Sequence, residues 1–178
     1  MDTANVGRGT LIAGVSGGLL FIFMFFSWFG VDVSDVVPAG VPEEIAEQAV
    51  DQSGVDTTAT AWQAFDVIDL VLLLAVIVAV GFALIDMTGA SVSLPVAGSA
   101  VTAGIGAIAF LLVLYRLIDP PGGDGVGREI GVWLGLITTA GIAYGGYLGM
   151  QEEGTSFGDV RDQVAGPPDQ PGPPRDRP

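Results

Sequence analysis

Residues 61–86 have the sequence AWQAFDVIDLVLLLAVIVAVGFALID, and this stretch decides the fold. It places sixteen uncharged residues, Leu70–Ile85, between Asp69 and Asp86. As a helix these residues span about 24 Å, against about 30 Å for the hydrocarbon core of a bilayer. The run therefore predicts a membrane-spanning helix with carboxylates at both ends. Asp66 and Asp69 are three residues apart, so we expect them to share one helical face.

Composition places the whole chain in the membrane class. Half of its 178 residues are hydrophobic, and the uncharged residues fall into four blocks. This pattern predicts an all-α protein, a four-helix transmembrane bundle with an acidic extracytoplasmic loop and a disordered C-terminal tail. We expect a transmembrane domain at 1–150, with spans at about 10–30, 62–86, 95–117 and 129–150, a loop at 32–60, and a disordered Pro/Gly/Asp-rich tail at 151–178.

Charge and missing residue types exclude several classes of function. The net charge is −14 and all six basic residues are arginines, so the chain lacks the clustered cations that bind nucleic acid phosphates. Cysteine and histidine are absent, which excludes thiol redox chemistry, zinc sites built on Cys or His, and a Ser-His-Asp triad. We therefore expect no cofactor, no metal site, no catalytic residue and no enzymatic activity.

The arginines predict how the chain is threaded through the membrane. Four spans place both termini on one side, together with Arg8, Arg161, Arg175 and Arg177. The opposite side receives two arginines and the acidic loop. Because the side with the termini has four arginines and the other side has two, we predict a multi-pass protein of the cell membrane with cytoplasmic termini.

In this threading three spans bring charged ends to the outer face. We predict that Arg116 pairs there with Asp66 or Asp69, because pairing lowers the cost of a charge near the hydrocarbon edge. The alternative is that each charge is separately hydrated. An ion or proton pathway is less favoured, since no span carries an ionisable residue near its middle. The predicted interfacial ion-pair cluster consists of Asp66, Asp69, Arg116, Asp119, Arg128 and Glu129.

Glycines at intervals of four indicate close helix packing. Such spacing lets two helix backbones approach each other in a membrane. Packing within the bundle is the favoured interpretation, and homodimerisation is the alternative. The candidate packing residues are Gly14, Gly18, Gly141, Gly145 and Gly149.

The aromatic and hydroxyl side chains in the spans are predicted to have structural roles and no ligand-binding role. The Phe/Trp-rich end of span one is expected to lie in the membrane interface, and Thr138 and Thr139 to bond to carbonyls of their own helix. The other interface anchors predicted are Trp62, Tyr115, Trp133, Tyr144 and Tyr147.

Several motifs between residues 8 and 150 resemble a group of uncharacterised four-helix membrane proteins of actinobacteria. The resemblance implies a fold and a membrane location, and it implies no activity and no site residues. The motifs are Arg8-Gly9, Ala61-Trp62-Gln63-Ala64-Phe65-Asp66, Leu94-Pro95, Tyr115-Arg116-Leu117-Ile118-Asp119-Pro120-Pro121 and Gly127-Arg128-Glu129-Ile130-Gly131.

The leading prediction for function is a non-enzymatic structural or accessory membrane protein. Its expected partners are the lipid bilayer and either a second copy of the chain or a larger envelope complex. A small transporter or channel subunit is the alternative, and an enzyme that uses the carboxylate cluster ranks third. A polar path between helices would favour transport. An outer cavity lined by Asp66, Asp69 and Arg116 would favour ligand binding or catalysis.

Overall fold

The computed structural model describes residues 7–31, 40–42, 57–65, 67–89, 98–122 and 126–156, with a few positions within 44–52 and 158–161. This part of the chain is mostly helical. Its elements in chain order are α1 (Arg8–Phe23), β1 (Ser27–Val31), β2 (Thr58–Thr60), α2 (Ala61–Ala64), α3 (Ile68–Thr88), α4 (Gly98–Ile118), β3 (Val126–Arg128) and α5 (Ile130–Glu152).

The four long helices pack in a ring in which each contacts two neighbours. Helix α5 packs most extensively against α4 and α1, and α3 closes the ring between α1 and α4. Helices α1 and α5 are antiparallel, because Gly9 lies beside Gly149 while Ser16 lies beside Gly141. We call the end of the bundle that contains Arg8, Thr88, Gly98 and Glu152 the terminal end.

A three-stranded antiparallel sheet covers the opposite end, with strand order β2-β1-β3. Phe29 pairs with Arg128, and Gly30 with Gly127. The register between β1 and β2 shifts between Ser27 and Phe29. The all-α prediction missed this sheet. We call this end of the bundle the sheet end; it comprises β1–β3 and the adjoining helix ends at Phe23, Ile68, Ile118 and Ile130.

Two predicted spans have different boundaries in the structure. Helix α1 ends at Phe23, so the predicted span over 10–30 is wrong in its last third, where Ser27–Val31 forms a strand. Helix α3 begins at Ile68, later than predicted, because Phe65 has extended backbone angles and separates α2 from α3. The boundaries of α4 and α5 lie within three residues of the predicted ones.

The predicted acidic loop and disordered tail lie largely outside the described residues. Of the loop at 32–60, the structure describes strand β2 and a few other positions. Of the tail at 151–178, residues 162–178 are outside the described part. Both assignments stay predictions.

Small residues fill the interior of the bundle and large apolar residues cover its surface. On α3, Ala75, Ala79 and Ala83 are buried, while Leu70 and Ile77 are each 59% exposed. A helix that is apolar on all sides is typical of a membrane span or of a deeply buried core helix. Within the described part of the chain, the outer face of α3 is exposed, so α3 is not a buried core helix there. Three helices, α3, α4 and α5, are long and apolar enough to cross a membrane, whereas α1 has 16 residues.

Candidate functional site

Arg128 joins strand β3 to the end of helix α4. Its Nε donates a hydrogen bond to the carbonyl oxygen of Leu117 at 2.8 Å, and its Nη2 donates to that of Ile118 at 3.2 Å. The last carbonyls of a helix have no partner within the helix, and a cation is favourable at that negative end of the dipole. Arg128 therefore caps α4, a role that the predicted ion-pair cluster did not include.

We predict that replacing Arg128 by Ala lowers the stability of the detergent-solubilised protein by about 1 kcal/mol, since two charge-assisted hydrogen bonds are lost at an exposed site. Replacement of Arg128 by Lys should cause a smaller loss, because the ammonium group keeps the positive charge. The loss should not vanish, because the ammonium group lacks the planar geometry with which the guanidinium group donates to two carbonyls. Thermal unfolding measures both changes. Arg161→Ala removes the same charge from an exposed position beyond α5 and should have no effect. An equal loss in both variants would show that net charge, and not capping, is responsible.

Arg116 lies against aromatic rings at the sheet end. Its guanidinium carbon is 5.8 Å from the ring centroid of Phe65 and 5.7 Å from that of Tyr115. These are cation–π distances. Its Nε is buried and has no hydrogen-bond partner within the described part of the chain. Because Asp66 lies outside that part, the predicted pairing of Arg116 with it stays a prediction.

The remaining members of the predicted cluster have separate local partners. Asp69 accepts a hydrogen bond from the amide of Leu70 at 2.8 Å, and Asp119 accepts one from the hydroxyl of Tyr115 at 2.8 Å. The backbone amide of Glu129 donates to the carbonyl of Trp28 at 3.0 Å. Asp69 lies in the first turn of α3, which begins at Ile68. Asp66 lies outside the described residues, so the helical face predicted for Asp66 and Asp69 stays a prediction.

A groove of about 380 Å³ lies over one face of the sheet. Neither Asp69 nor Arg116 is among the described residues that line it, and no charged side chain is. The described members of the predicted ion-pair cluster therefore do not line this groove. The groove is lined by residues of the sheet, of the short helix α2 and of the turn after α4, including Phe29, Val31, Ala59, Gln63, Pro121 and Val126.

The most deeply buried large side chain at the sheet end is that of Trp28, which the sequence had placed in the membrane interface. The residue is fully buried, and its ring lies over Gly135, where a Cβ atom would come within 2.6 Å of Cζ2. Its indole Nε1 donates to the carbonyl of Phe23 at 2.8 Å, at the end of α1. Phe65 packs edge-on against it at 5.7 Å. Gly131 and Gly135 are spaced by four residues, and this spacing was the sequence signal for the space on α5 that the Trp28 ring occupies.

The predicted packing glycines lie mostly at helix contacts within the chain. A Cβ atom on Gly145 would lie 2.5 Å from the amide nitrogen of Ala13, and one on Gly14 would lie 2.5 Å from the Cβ of Ala83. Gly141 adjoins Ser16 and Gly149 adjoins Ser99. Gly18 differs, because nothing lies within 4 Å of its Cβ position.

Two close contacts between α4 and α5 were not predicted. A Cβ on Gly106 would lie 2.6 Å from the amide nitrogen of Ala143, and Gly146 approaches the backbone of Ala103 equally closely. Neither glycine belongs to the series with intervals of four, which is why the pattern missed them.

Hydroxyl side chains inside the bundle bond to their own helices, as predicted for Thr138 and Thr139. Each of these two donates to the carbonyl of Gly135, at 3.1 and 2.8 Å. Thr102 donates to Gly98 in the same way at 2.9 Å. These threonines are the buried polar residues of the described helices, and their hydroxyl groups are satisfied locally.

The aromatic residues predicted as interface anchors are mostly exposed. Tyr115, Trp133, Tyr144 and Tyr147 are all between 44% and 57% exposed. Trp62 differs, because its indole nitrogen is buried without a partner among the described residues, and its ring lies 5.9 Å from that of Phe25.

At the terminal end, Glu152, the last residue of α5, and Glu153, its C-cap residue, contact the first turns of the neighbouring helices. Glu152 accepts a hydrogen bond from the amide of Gly9 in α1 at 3.3 Å. Glu153 accepts one from the hydroxyl of Ser99 in α4 at 2.6 Å. Carboxylates are favourable beside helix N-termini, so these two glutamates stabilise the packing of the end of α5 against the starts of α1 and α4. These contacts were not predicted, because both glutamates resembled the start of a polar tail.

Beyond α5, the hydroxyl of Ser156 donates to Asp159 at 2.6 Å and its amide donates at 2.8 Å. These bonds lower the pKa of the Asp159 carboxyl.

Comparison with known proteins leaves the family of the chain open. No protein-family model, no curated protein and no solved structure matches it. The resemblance to actinobacterial four-helix membrane proteins therefore stays a prediction.

Proposed function

We propose that the chain is a multi-pass membrane protein whose four long helices cross the bilayer, and that it acts as a structural or accessory component without enzymatic activity. The observation that carries this proposal is the distribution of side chains across the bundle. Alanine and glycine are frequent among the buried residues, and most of the described leucine, isoleucine and phenylalanine side chains are partly or largely exposed. In water such a surface would form large exposed apolar patches, whereas in lipid it is favourable.

The length of α1 is the weak point of a four-span arrangement, and its packing offsets that weakness. Its 16 residues span about 24 Å. The chain nevertheless follows α5 from Gly149, beside Gly9, to Gly131, beside Ser27. From Gly131 to Gly149 the rise along α5 is about 27 Å, close to the hydrocarbon thickness. The exposed rings of Phe25 and Phe26 are suited to the interface just beyond α1.

The interior of the bundle favours a structural role over transport. The buried polar side chains of the described helices are threonines bonded to their own backbone, and they form no path from one end to the other. Helix α5 packs closely against the backbone of α4 at Gly106 and against that of α1 at Gly145. A transporter needs a polar route or an ionisable group within the spans.

Two measurements test this proposal. After alkaline extraction, the full chain should stay in the membrane pellet, and its release would contradict the membrane assignment. Purification from native membranes in mild detergent should recover a partner protein, or a second copy of the chain, in fixed stoichiometry. Proton or ion flux through vesicles containing the purified chain alone would contradict the accessory role and favour the transporter.

We also predict that the terminal end is cytoplasmic, because Arg8 begins α1 there and the sequence beyond α5 carries three further arginines. The chain has no native cysteine, so single cysteines can be introduced without background. In intact cells, an impermeant maleimide should label Pro121→Cys at the sheet end and should not label Ser156→Cys beyond α5. The reverse pattern would invert the orientation, and labelling of both sites would contradict a membrane crossing by α5, the long helix between them.

A further inference from the structure

A lateral groove of about 190 Å³ opens between α1 and α3 near the terminal end. Its floor is the contact between Gly14 and Ala83, which brings the two helices close together. Every side chain that lines it is apolar. The walls are formed by Leu11, Val15, Leu84 and Met87, among others.

The packing register places two opposite charges at the mouth of this groove. Helices α1 and α3 are antiparallel, since Gly17 faces Ala79 and Gly14 faces Ala83. One more turn brings Leu11 level with Met87, and both residues do line the groove. Arg8 precedes Leu11 by three residues and so lies on the same side of α1 as Leu11. Asp86 is next to Met87 in the sequence, in the last turn of α3, and so lies at the same level of the bundle as the mouth of the groove. Both side chains are exposed.

We propose that this groove binds one acyl chain of a phospholipid, whose phosphate contacts Arg8 and whose headgroup donates a hydrogen bond to Asp86. The inference rests on the proposed membrane location. Arginine is well suited to phosphate, and a carboxylate beside it accepts a hydrogen bond from an amine or hydroxyl of the same headgroup. The charges at the mouth thus complement a headgroup that carries both an acceptor and a donor.

Gly18 gives the acyl chain a route towards the middle of the bundle. It lies one turn beyond Gly14, and nothing is within 4 Å of its Cβ position. Gly81 on α3 is open in the same way. A larger residue at Gly18 would fit without displacing protein atoms, and it would obstruct the inner end of the groove.

Native mass spectrometry of the full chain tests this proposal. The protein is purified in mild detergent, delipidated and titrated with phosphatidylethanolamine. One lipid per chain should be retained, and Arg8→Gln and Gly18→Leu should each weaken retention about tenfold. Phosphatidylcholine, which lacks the donor, should be retained several-fold less well, and Asp86→Asn should reduce that preference.

Two controls are matched to the groove variants. Gly104→Leu adds the same side chain at an open position on α4, and Arg161→Gln removes the same charge beyond α5. Both should retain lipid like the parent protein. Equal retention by all variants, or a dimer mass that replaces the lipid adduct, would overturn the groove proposal. A chain absent from the membrane pellet would instead contradict the membrane location.

Discussion

Replacing Gly145 by Ala should destabilise the bundle by about 2 kcal/mol or more, although alanine is the better helix former by about 1 kcal/mol. The reason is the close approach of α1 and α5 at this position. The new methyl group would lie 2.5 Å from the amide nitrogen of Ala13 and 2.7 Å from the carbonyl oxygen of Gly9. Both are backbone atoms, so no side chain can rotate away, and the helices must separate.

Gly104→Ala provides the matched control, because nothing lies within 4 Å of its Cβ position on α4. There the better helix propensity should stabilise the protein or leave it unchanged. The two substitutions are chemically identical and should differ in sign. Thermal unfolding in detergent should show a fall of roughly 4–8 °C for the Gly145 variant. Equal behaviour of the two variants would contradict the packing of α1 against α5.

The long helices could be predicted from sequence because a membrane span requires a long run of apolar residues. Uncharged runs bounded by charged residues located α4 and α5 to within three residues, since a lipid-facing helix must be apolar along its whole length. The same rule failed for α1. Its uncharged run continues through Trp28 to Val31, and an apolar run does not distinguish a helix from a buried strand.

The sheet could not be predicted because the information that forms it is distant in sequence. Strands β2 and β3 have three residues each, too few for a local pattern. They pair with β1 across gaps of about 30 and 100 residues, and these pairings turn Phe29 and Gly30 into strand positions. The aromatic and β-branched residues at the end of span one were the available signal, and an interfacial belt explained them equally well.

The candidate site shows the same division between local and distant information. The sequence placed Arg116 and Arg128 at the same end of the bundle as Asp119 and Glu129, because that follows from counting spans. It did not predict that Arg128 bonds to the carbonyls of α4, or that Glu152 bonds to the amide of Gly9. Charge matching predicts ion pairs, and it does not predict side chains that cap distant helix ends.

Trp28→Ala is the second substitution with a large expected effect. The indole is fully buried between α1, α5 and Phe65, so its removal should cost about 3–5 kcal/mol in a bundle whose other large side chains mostly face outward. Trp28→Phe keeps an aromatic ring but loses the hydrogen bond to the carbonyl of Phe23, and an intermediate loss is expected. The control Trp133→Ala removes the same side chain from a position that is 48% exposed, and it should change stability by about 0.5 kcal/mol or less.

A double-mutant cycle with Gly135 separates the fit of the indole from simple loss of apolar volume. Alone, Gly135→Ala should destabilise the protein, because the methyl group would lie 2.6 Å from Cζ2 of Trp28. Once Trp28 is alanine, the same change has no ring to meet and occupies part of the cavity. The two losses should then be non-additive by about 1 kcal/mol or more, with the double variant more stable than their sum predicts. Additive losses would mean that the indole does not lie over Gly135, and the sheet end would need another explanation for how α1 terminates at Phe23.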